Sequence, residues 1–346
     1  MSKTVGIIGA GIAGLALSIR LANQGFAVTV FEKNSYPGGK LSELNTNGFR
    51  FDKGPSLFTM PSLIEELTNL QESSHPFEYQ KLDVITNYFY SDGTQLKASA
   101  NIEDFAEEVH LKLNEKKETV LKYIKRNAFY FKTTEDLFLK QSLHQIKNFI
   151  NFKTLKGILL SPFLGLFCTM NEKNSRTFSN PKTVQLFNRF ATYNGSNPYK
   201  APALMNMISH LEFNLGAYLP KKGMHQITTH LVKLAEEANV TINYNATVEA
   251  LEVGSNNRIT SIKSDGVKYP FDIVVSDVDI HLLYNYLLPK SFTPKKLIQQ
   301  EKSSSAYVFY WGINKEFAAL GLHNILFSDD YKKEFDHLFS KQFPTD

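Results

Sequence analysis

The chain has 346 residues, a formal net charge of +4, 42% hydrophobic residues and 21% charged residues. This composition predicts a packed globular protein and excludes a disordered one, and the length allows two domains or one large domain. The single cysteine, Cys168, excludes an intrachain disulfide and fits a reducing compartment, so we expect a cytoplasmic location.

The first 32 residues predict one βαβ unit. Apolar runs at 4–8 and 27–31 indicate strands, and the apolar spacing of 12–24 indicates a helix between them. The turn before the helix is GAGIAG, with glycines at positions 9, 11 and 14. Such a turn permits close approach to a pyrophosphate, and the N–H groups that begin the helix, at Ile12 and Ala13, are free to meet its phosphates.

An acidic residue, Glu32, closes the second strand 18 residues after Gly14. Its carboxylate can accept hydrogen bonds from ribose hydroxyls and would repel a 2′-phosphate, which disfavours NADP. Strand, helix, second strand and acid together predict a dinucleotide site. The alternative is a glycine-rich turn that serves packing alone.

The remaining pattern predicts a discontinuous nucleotide domain with a largely helical insertion. A hairpin at 84–99 and mostly helical residues at 101–160 are followed by a second α/β block that starts at 218. In that block, FDIVVSDVD at 271–279 is a continuous apolar run, which predicts a strand buried on both faces. The predicted fold class is α/β, with residues 1–85 and 215–280 in one domain and 86–214 and 281–346 in the other.

Two adjacent glycines and a lysine follow the acid in the stretch Pro37-Gly38-Gly39-Lys40. With this stretch the sequence resembles the FAD-dependent amine oxidase and phytoene desaturase superfamily. Five further segments resemble that family in the same order, and among its members they are similar to carotenoid desaturases, slightly more to hydroxycarotenoid 3,4-desaturases. These segments are FDKGPSLFTMP (51–61), LFNRFATYNGSNPYKAP (186–202), HLEFNLGAYLPKKGMHQI (210–227), FDIVVSDVD (271–279) and HNILFSDDYKKEF (323–335).

The resemblance implies a Rossmann-type FAD-binding domain of the glutathione-reductase kind and a role for each matching position. The residues it implies for the ADP half of FAD are Gly9, Gly11, Ile12, Ala13, Gly14, Glu32, Lys33, Gly38, Gly39 and Lys40; those near the isoalloxazine ring are Gly54, Pro55 and Ser56; Val248 would contact adenine through its backbone. The chain departs from the family pattern at Lys222, where a second glycine is usual, so we expect a less tight loop there. It also lacks the family's second, C-terminal flavin segment, and we therefore expect a fragment of a longer enzyme.

The function implied by the resemblance is desaturation of a long polyene in carotenoid biosynthesis, with hydride transfer to flavin and an acceptor such as oxygen or a quinone. An apolar carotenoid substrate implies peripheral contact with the inner face of the cell membrane. Residues 157–171 and 186–208 are the candidates for a substrate tunnel or its mouth. No pattern indicates nucleic-acid binding, and no metal site is predicted, because His225 and His230 lack a third ligand.

Two other functions stay open on this fold. One is amine oxidation by the same flavin, and the other is a non-catalytic prenyl-lipid carrier, which the intact glycine and acid pattern disfavours. No catalytic acid or base can be assigned. Arg189 and Glu212 are the only candidates, and each is better explained as a structural polar residue.

Overall fold

The computed structural model describes residues 2–73, 75–142, 145 and 165–341. The chain divides into two compact units: unit 1 consists of Met1–Gln80 and Tyr218–Glu301, and unit 2 consists of Lys81–Ala217 and Lys302–Asp346. The units differ from the expected domain bounds mainly at residues 281–301, which lie in unit 1. The reason is that Leu283 and Leu287 pack against the buried cluster around Phe31.

The secondary structure is as follows. The strands are β1 (Thr4–Ile8), β2 (Ala27–Phe31), β3 (Ser42–Thr46), β4 (Phe49–Lys53), β5 (Tyr79–Lys81), β6 (Val84–Phe89), β7 (Gln95–Ser99), β8 (Tyr218–Pro220), β9 (Thr241–Asn243), β10 (Val248–Val253), β11 (Ile259–Ser264), β12 (Val267–Pro270), β13 (Ile273–Ser276) and β14 (Asn324–Leu326). The helices are α1 (Ile12–Asn23), α2 (Ser62–Leu70), α3 (Ile102–Leu113), α4 (Lys117–Lys140), α5 (Met170–Thr177), α6 (Pro181–Asn188), α7 (Gln226–Glu237), α8 (Ile280–Leu282), α9 (Lys295–Ile298) and α10 (Tyr331–Asp336).

Unit 1 is built on a parallel sheet with the strand order β13-β1-β2-β9. The predicted βαβ opening is confirmed, and Gly25 ends α1 with a left-handed φ of 86°. Helices α1 and α7 bury their apolar faces in one cluster with the central strands, and Leu15, Ile19, Leu231 and Leu234 are fully enclosed there. This packing fixes the carboxyl ends of the strands, where the candidate site lies.

The prediction that the apolar run at 271–279 is buried on both faces is wrong. Strand β13 lies at the edge of the four-stranded sheet and pairs only with β1 among the described strands. Its residues are exposed at Ile273 and half-buried from Val274 to Ser276. The apolar run therefore belongs to an edge strand that is only partly covered. The strand still runs parallel to β1.

Unit 2 combines the predicted hairpin β6–β7, extended by β14, with helices α3 to α6. Aromatic rings fill its core, and the centroids of Phe105 and Phe213 lie 4.4 Å apart, as do those of Tyr123 and Phe187. Some of the 27 Phe and 16 Tyr residues of the chain therefore serve core packing, which aromatic pairs stabilise beyond their buried area.

A buried ion pair lies in the same unit. The guanidinium of Arg189 donates to Glu212 at 2.5 Å, and their side chains are 7% and 0% exposed. Arg189 Nε also donates to the Tyr88 hydroxyl at 2.9 Å, and the Tyr193 hydroxyl donates to Glu212. Both candidates for an acid or base are therefore committed to each other, as the structural interpretation predicted.

The protonation of this network follows from its burial. Burial opposes the charged form of Arg189, but Glu212, Tyr88 and Tyr193 together outweigh it and raise the pKa of Arg189 above its ordinary value. Burial and then Glu212 raise the pKa of Tyr193, so its hydroxyl stays a proton donor. Arg189 therefore stays charged and Tyr193 stays protonated near neutral pH, so neither side chain is suited to exchanging protons there.

We predict that Arg189→Met lowers the free energy of unfolding by about 3–5 kcal/mol, because Glu212 is left buried without its cation. The matched control is the double variant Arg189→Met/Glu212→Leu, which removes both charges and should recover at least half of that loss, since apolar replacement of a buried pair is often nearly neutral. Urea unfolding followed by circular dichroism measures both. Equal losses in the single and double variants would contradict the assignment.

Candidate functional site

The first glycine loop, residues 9–14, is held by hydrogen bonds to the end of β2 and to Glu32, the acid that follows it. Gly9 has φ 101° and donates its N–H to the carbonyl of Phe31 at 2.8 Å. The next peptide, Ala10 N–H, donates to Glu32 Oε2 at 2.9 Å. A methyl group on Gly14 would lie 2.1 Å from the Gly9 carbonyl oxygen, so α1 can approach β1 only with glycine there.

Glu32 is 4% exposed, and its carboxylate is held by protein donors. Besides Ala10, it accepts from the backbone N–H of Asn34 at 2.9 Å and from Asn34 Nδ2 at 2.8 Å. A carboxylate has about four acceptor positions, so these three bonds leave room for one further donor. The acid is therefore oriented in advance and can still accept a ligand hydroxyl. Asn34 was not predicted, because a single Asn after a strand carries no distinctive pattern.

The second glycine loop, residues 37–40, packs against the first. Gly38 donates its N–H to the Ala10 carbonyl at 2.8 Å, and Gly38 and Gly39 have φ values of 105° and 57°. A methyl group on Gly38 would stand 2.4 Å from the Leu41 carbonyl oxygen and 2.8 Å from Thr228 Oγ1. One on Gly39 would stand 3.4 Å from the Cα of Gly11. Gly38 is thus required by the close approach of Leu41 and Thr228, and both glycines are favoured by their positive φ.

A third glycine, Gly54, shapes the loop after β4. Its φ is 91°, and a methyl group there would lie 2.0 Å from the Lys40 carbonyl oxygen. Gly54 therefore acts by letting two backbone segments meet, and the residue after it, Pro55, lines the cavity described next.

A cavity of about 1060 Å³ opens at this edge of the sheet, within unit 1. This is at the upper end of the size range of small-molecule sites, as a dinucleotide requires. Ten of the predicted residues line it: Gly9, Gly11, Ile12, Glu32, Lys33, Gly38, Gly39, Lys40, Pro55 and Val248. Four others, Ala13, Gly14, Gly54 and Ser56, are not part of its lining.

Besides Val248, the lining of the cavity contains residues that were not predicted from the sequence. On one side, Ala246 donates its N–H to the Glu32 carbonyl at 2.8 Å, which holds residues 246–248 beside the acid. On the other side, Asp277 and Asp279 follow β13. The sequence analysis treated the segment that holds these two acids only as a strand. They could have been predicted from the strand before them, because the carboxyl ends of parallel strands lie at the same edge of a sheet.

The cavity is lined by both charged and apolar side chains. Two cations, Lys33 and Lys40, lie beside the glycine loops, and neither makes an ion pair with a described residue. Leu57, Phe58 and Met60 form an apolar wall of the same cavity. Phe58 is anchored by edge-to-face contacts with an aromatic cluster that includes Phe77 at 5.9 Å. Within the described ranges, no cluster of side chains has the composition of a metal site.

Met60 has an unusual backbone. Its φ is 54°, in the left-handed region, although it is neither Gly nor Asn and precedes Pro61. Such a conformation costs about 1–3 kcal/mol and persists only where the surroundings enforce it. Here the Phe58 anchor and the start of α2 at Ser62 hold it from both sides, so the apolar wall is a fixed surface.

The loop before α7 forms a hydrogen-bonded turn despite the departure at Lys222. Gly223 has φ 87° and donates its N–H to the Pro220 carbonyl at 2.9 Å. Asp52 accepts from the N–H groups of Met224 and His225 at 2.9 and 3.0 Å, and these bonds lower the pKa of Asp52 against the effect of its partial burial. One glycine and the Asp52 carboxylate therefore suffice to form a hydrogen-bonded turn here, and a looser loop than the family's two-glycine form stays a prediction.

Among the described residues, none of the candidates for a substrate tunnel lines this cavity. Residues 157–164 lie outside the part of the chain that the structure describes. Within 186–208, Phe187, Phe190 and Leu204 are buried in unit 2. No helix among the described residues has the length and apolarity needed to cross a membrane.

Residues 12–317 match the family model of the flavin containing amine oxidoreductases. A 1-hydroxycarotenoid 3,4-desaturase from a Flavobacterium species is 45% identical over 99% of this chain and 70% of its own length. A phytoene desaturase from Fusarium fujikuroi is 27% identical over 99% of this chain, which spans 60% of that protein. A redesigned putrescine oxidase of known structure has a TM-score of 0.57 at 15% identity, covering 86% of this chain and 62% of its own, and shows the fold alone.

The site fits a flavin dinucleotide, because the cavity has the necessary size, the glycine loops and Glu32 line it, and the Glu32 carboxylate keeps an acceptor position for a ligand hydroxyl. The comparisons agree with the fold and cofactor expected from the sequence. The chain therefore belongs to the flavin containing amine oxidoreductase family, among its carotenoid and phytoene desaturases, and is an FAD-dependent oxidoreductase.

Proposed function

We propose that this chain desaturates a carotenoid with FAD as the cofactor, and that the substrate class is a 1-hydroxycarotenoid. The observation that carries the proposal is the cavity at the ends of β2, β1 and β13, in a chain 45% identical to a 1-hydroxycarotenoid 3,4-desaturase. Phytoene is the second substrate, favoured by the more distant relative.

The ADP half of FAD would be held at the cation-bearing end of the cavity. Glu32 would accept a ribose hydroxyl through its remaining acceptor position, and Val248 would meet adenine through its backbone. The free N–H groups at the start of α1 and the cations Lys33 and Lys40 would meet the pyrophosphate. Gly14 and Gly54 contribute by shaping the loops, which their steric contacts support.

The flavin ring would lie toward the apolar wall. Bound FAD supplies the two-electron acceptor that desaturation of a C–C single bond requires. The chain's own contribution is a rigid and water-excluding surface at Leu57 and Met60, held by the Phe58 anchor. Such a surface fixes the orientation of the ring and of an apolar substrate, for which burial contributes about 25 cal/mol per Å².

Peripheral contact with the inner face of the cell membrane is part of the proposal, because the substrate partitions into lipid. Exposed aromatic side chains in unit 2 support it: Tyr307, Phe309 and Trp311 are each more than two-thirds exposed. Aromatic residues of this kind favour the membrane interface.

We predict that Gly38→Ala weakens FAD binding at least tenfold, about 1.4 kcal/mol, because the methyl group would meet the Leu41 carbonyl and Thr228. The matched control is Gly266→Ala, at a glycine that also has positive φ (75°) but no atom within 4 Å of the added methyl group. Flavin fluorescence titration measures both affinities. The site assignment fails if Gly38→Ala binds FAD as tightly as Gly266→Ala.

We predict that a 1-hydroxycarotenoid in lipid vesicles bleaches the absorption of the bound flavin under anaerobic conditions. Putrescine should leave the spectrum unchanged, because the wall of Leu57, Phe58 and Met60, toward which the flavin ring is proposed to lie, is apolar and has no group that pairs with an ammonium. Adding oxygen or a quinone afterwards identifies the acceptor that restores the oxidised spectrum. Bleaching by putrescine and not by the 1-hydroxycarotenoid would instead favour amine oxidation.

We predict that vesicles containing anionic lipid shift the emission of Trp311 to shorter wavelength. Trp311 is the only tryptophan and is 72% exposed, so the signal reports on this segment alone. Brominated lipids should quench it, whereas Trp311→Phe removes the signal and serves as the blank. Unchanged emission with either lipid would exclude membrane contact at this segment.

A further inference from the structure

Asp277 is an acid of the cavity that the proposed function leaves unused. It directly follows β13, and its Oδ2 lies 3.5 Å from where a methyl group on Gly11 would stand. Its side chain has no hydrogen bond or ion pair with any described residue, whereas Glu32 is held by three protein donors. A free carboxylate facing a binding cavity has its full capacity to accept hydrogen bonds from a ligand.

The sheet register places the two acids on opposite sides of the first glycine loop. Ile8 is paired with Phe31 on β2 and with Ser276 on β13, so the next residue of each strand reaches the same edge. Those next residues are Gly9, Glu32 and Asp277. Because neighbouring strands lie about 4.8 Å apart, the two acids flank the loop across a span of roughly 10 Å.

The order of the strands determines which part of a bound dinucleotide lies at the end of each strand. The side of β2 carries Glu32 and the backbone of residues 246–248, which suit adenosine. The glycine loop and the start of α1 suit the pyrophosphate. The side of β13 must then face the part that follows the pyrophosphate, which in FAD is the ribityl chain with its hydroxyl donors.

The charge of Asp277 excludes a role as a phosphate ligand. An unpaired carboxylate repels a pyrophosphate, but it accepts hydrogen bonds from hydroxyls well, and charge-assisted bonds are the stronger ones. Leu282 and Tyr286, which follow Asp277 in the chain, line the same cavity and contribute apolar surface to it.

We infer that Asp277 binds the ribityl hydroxyls of FAD and thereby distinguishes FAD from adenine nucleotides that lack this chain. The inference rests on the proposed FAD site and adds the residue that binds the ribityl chain, on the flavin side of the pyrophosphate.

The test compares FAD with ADP, which shares the adenosine and pyrophosphate but lacks the ribityl chain. Isothermal titration gives both affinities for the unmodified chain, Asp277→Ala and Glu32→Gln, with circular dichroism to verify folding. Asp277→Ala should weaken FAD about tenfold to a hundredfold and leave ADP unchanged or slightly tighter. Glu32→Gln should weaken both ligands, since both carry the adenosine ribose.

Each other outcome overturns the inference in a distinguishable way. Equal weakening of FAD and ADP by Asp277→Ala would mean a general effect on the site. Tighter binding of both would place Asp277 against the pyrophosphate. Unchanged FAD affinity would mean that the carboxylate does not touch the ligand. If the unmodified chain binds ADP but no FAD, the proposed function itself fails, and the inference fails with it.

Discussion

The two hydrogen bonds of Ala10 hold the candidate site together. Its N–H donates to Glu32, and its carbonyl accepts from Gly38, so one residue links the acid to both glycine loops. The backbone adopts positive φ at Gly9, Gly38 and Gly39, and at Gly38 a side chain would also collide with Leu41 and Thr228, which explains the glycines at these positions. The site is therefore assembled by main-chain packing before any ligand arrives, and preorganisation of this kind reduces the cost of binding.

Much of the fold of unit 1 could be predicted because local pattern and tertiary role coincide there. The apolar run at 4–8, the glycine turn and the helix at 12–24 are each specified by their own residues, and β1 and α1 follow them closely. Strand β3 was missed because SELNT is polar and short, and it is fixed only by pairing with β4. The burial of β13 was misjudged because an apolar sequence does not reveal which strands lie beside it.

The site was predicted in part for the same reason. Residues that belong to a contiguous motif, such as Gly9, Gly11 and Glu32, were found from spacing alone. Asn34 and Asp277 were not, since their importance comes from the sheet register and from a hydrogen bond to Glu32. In unit 2, the pairing of Arg189 with Glu212 joins residues 23 positions apart, and only the fold shows that these two charges satisfy one another.

The central claim is that one cavity, at the ends of β2, β1 and β13, holds FAD through the adenosine side at Glu32. Competition between ADP and FAD for the unmodified chain tests it most directly, because only a shared adenosine and pyrophosphate site makes the two ligands exclusive. The account predicts one FAD per chain and complete displacement of FAD by ADP. Simultaneous binding of both ligands, or FAD binding that ADP leaves unaffected, would contradict it.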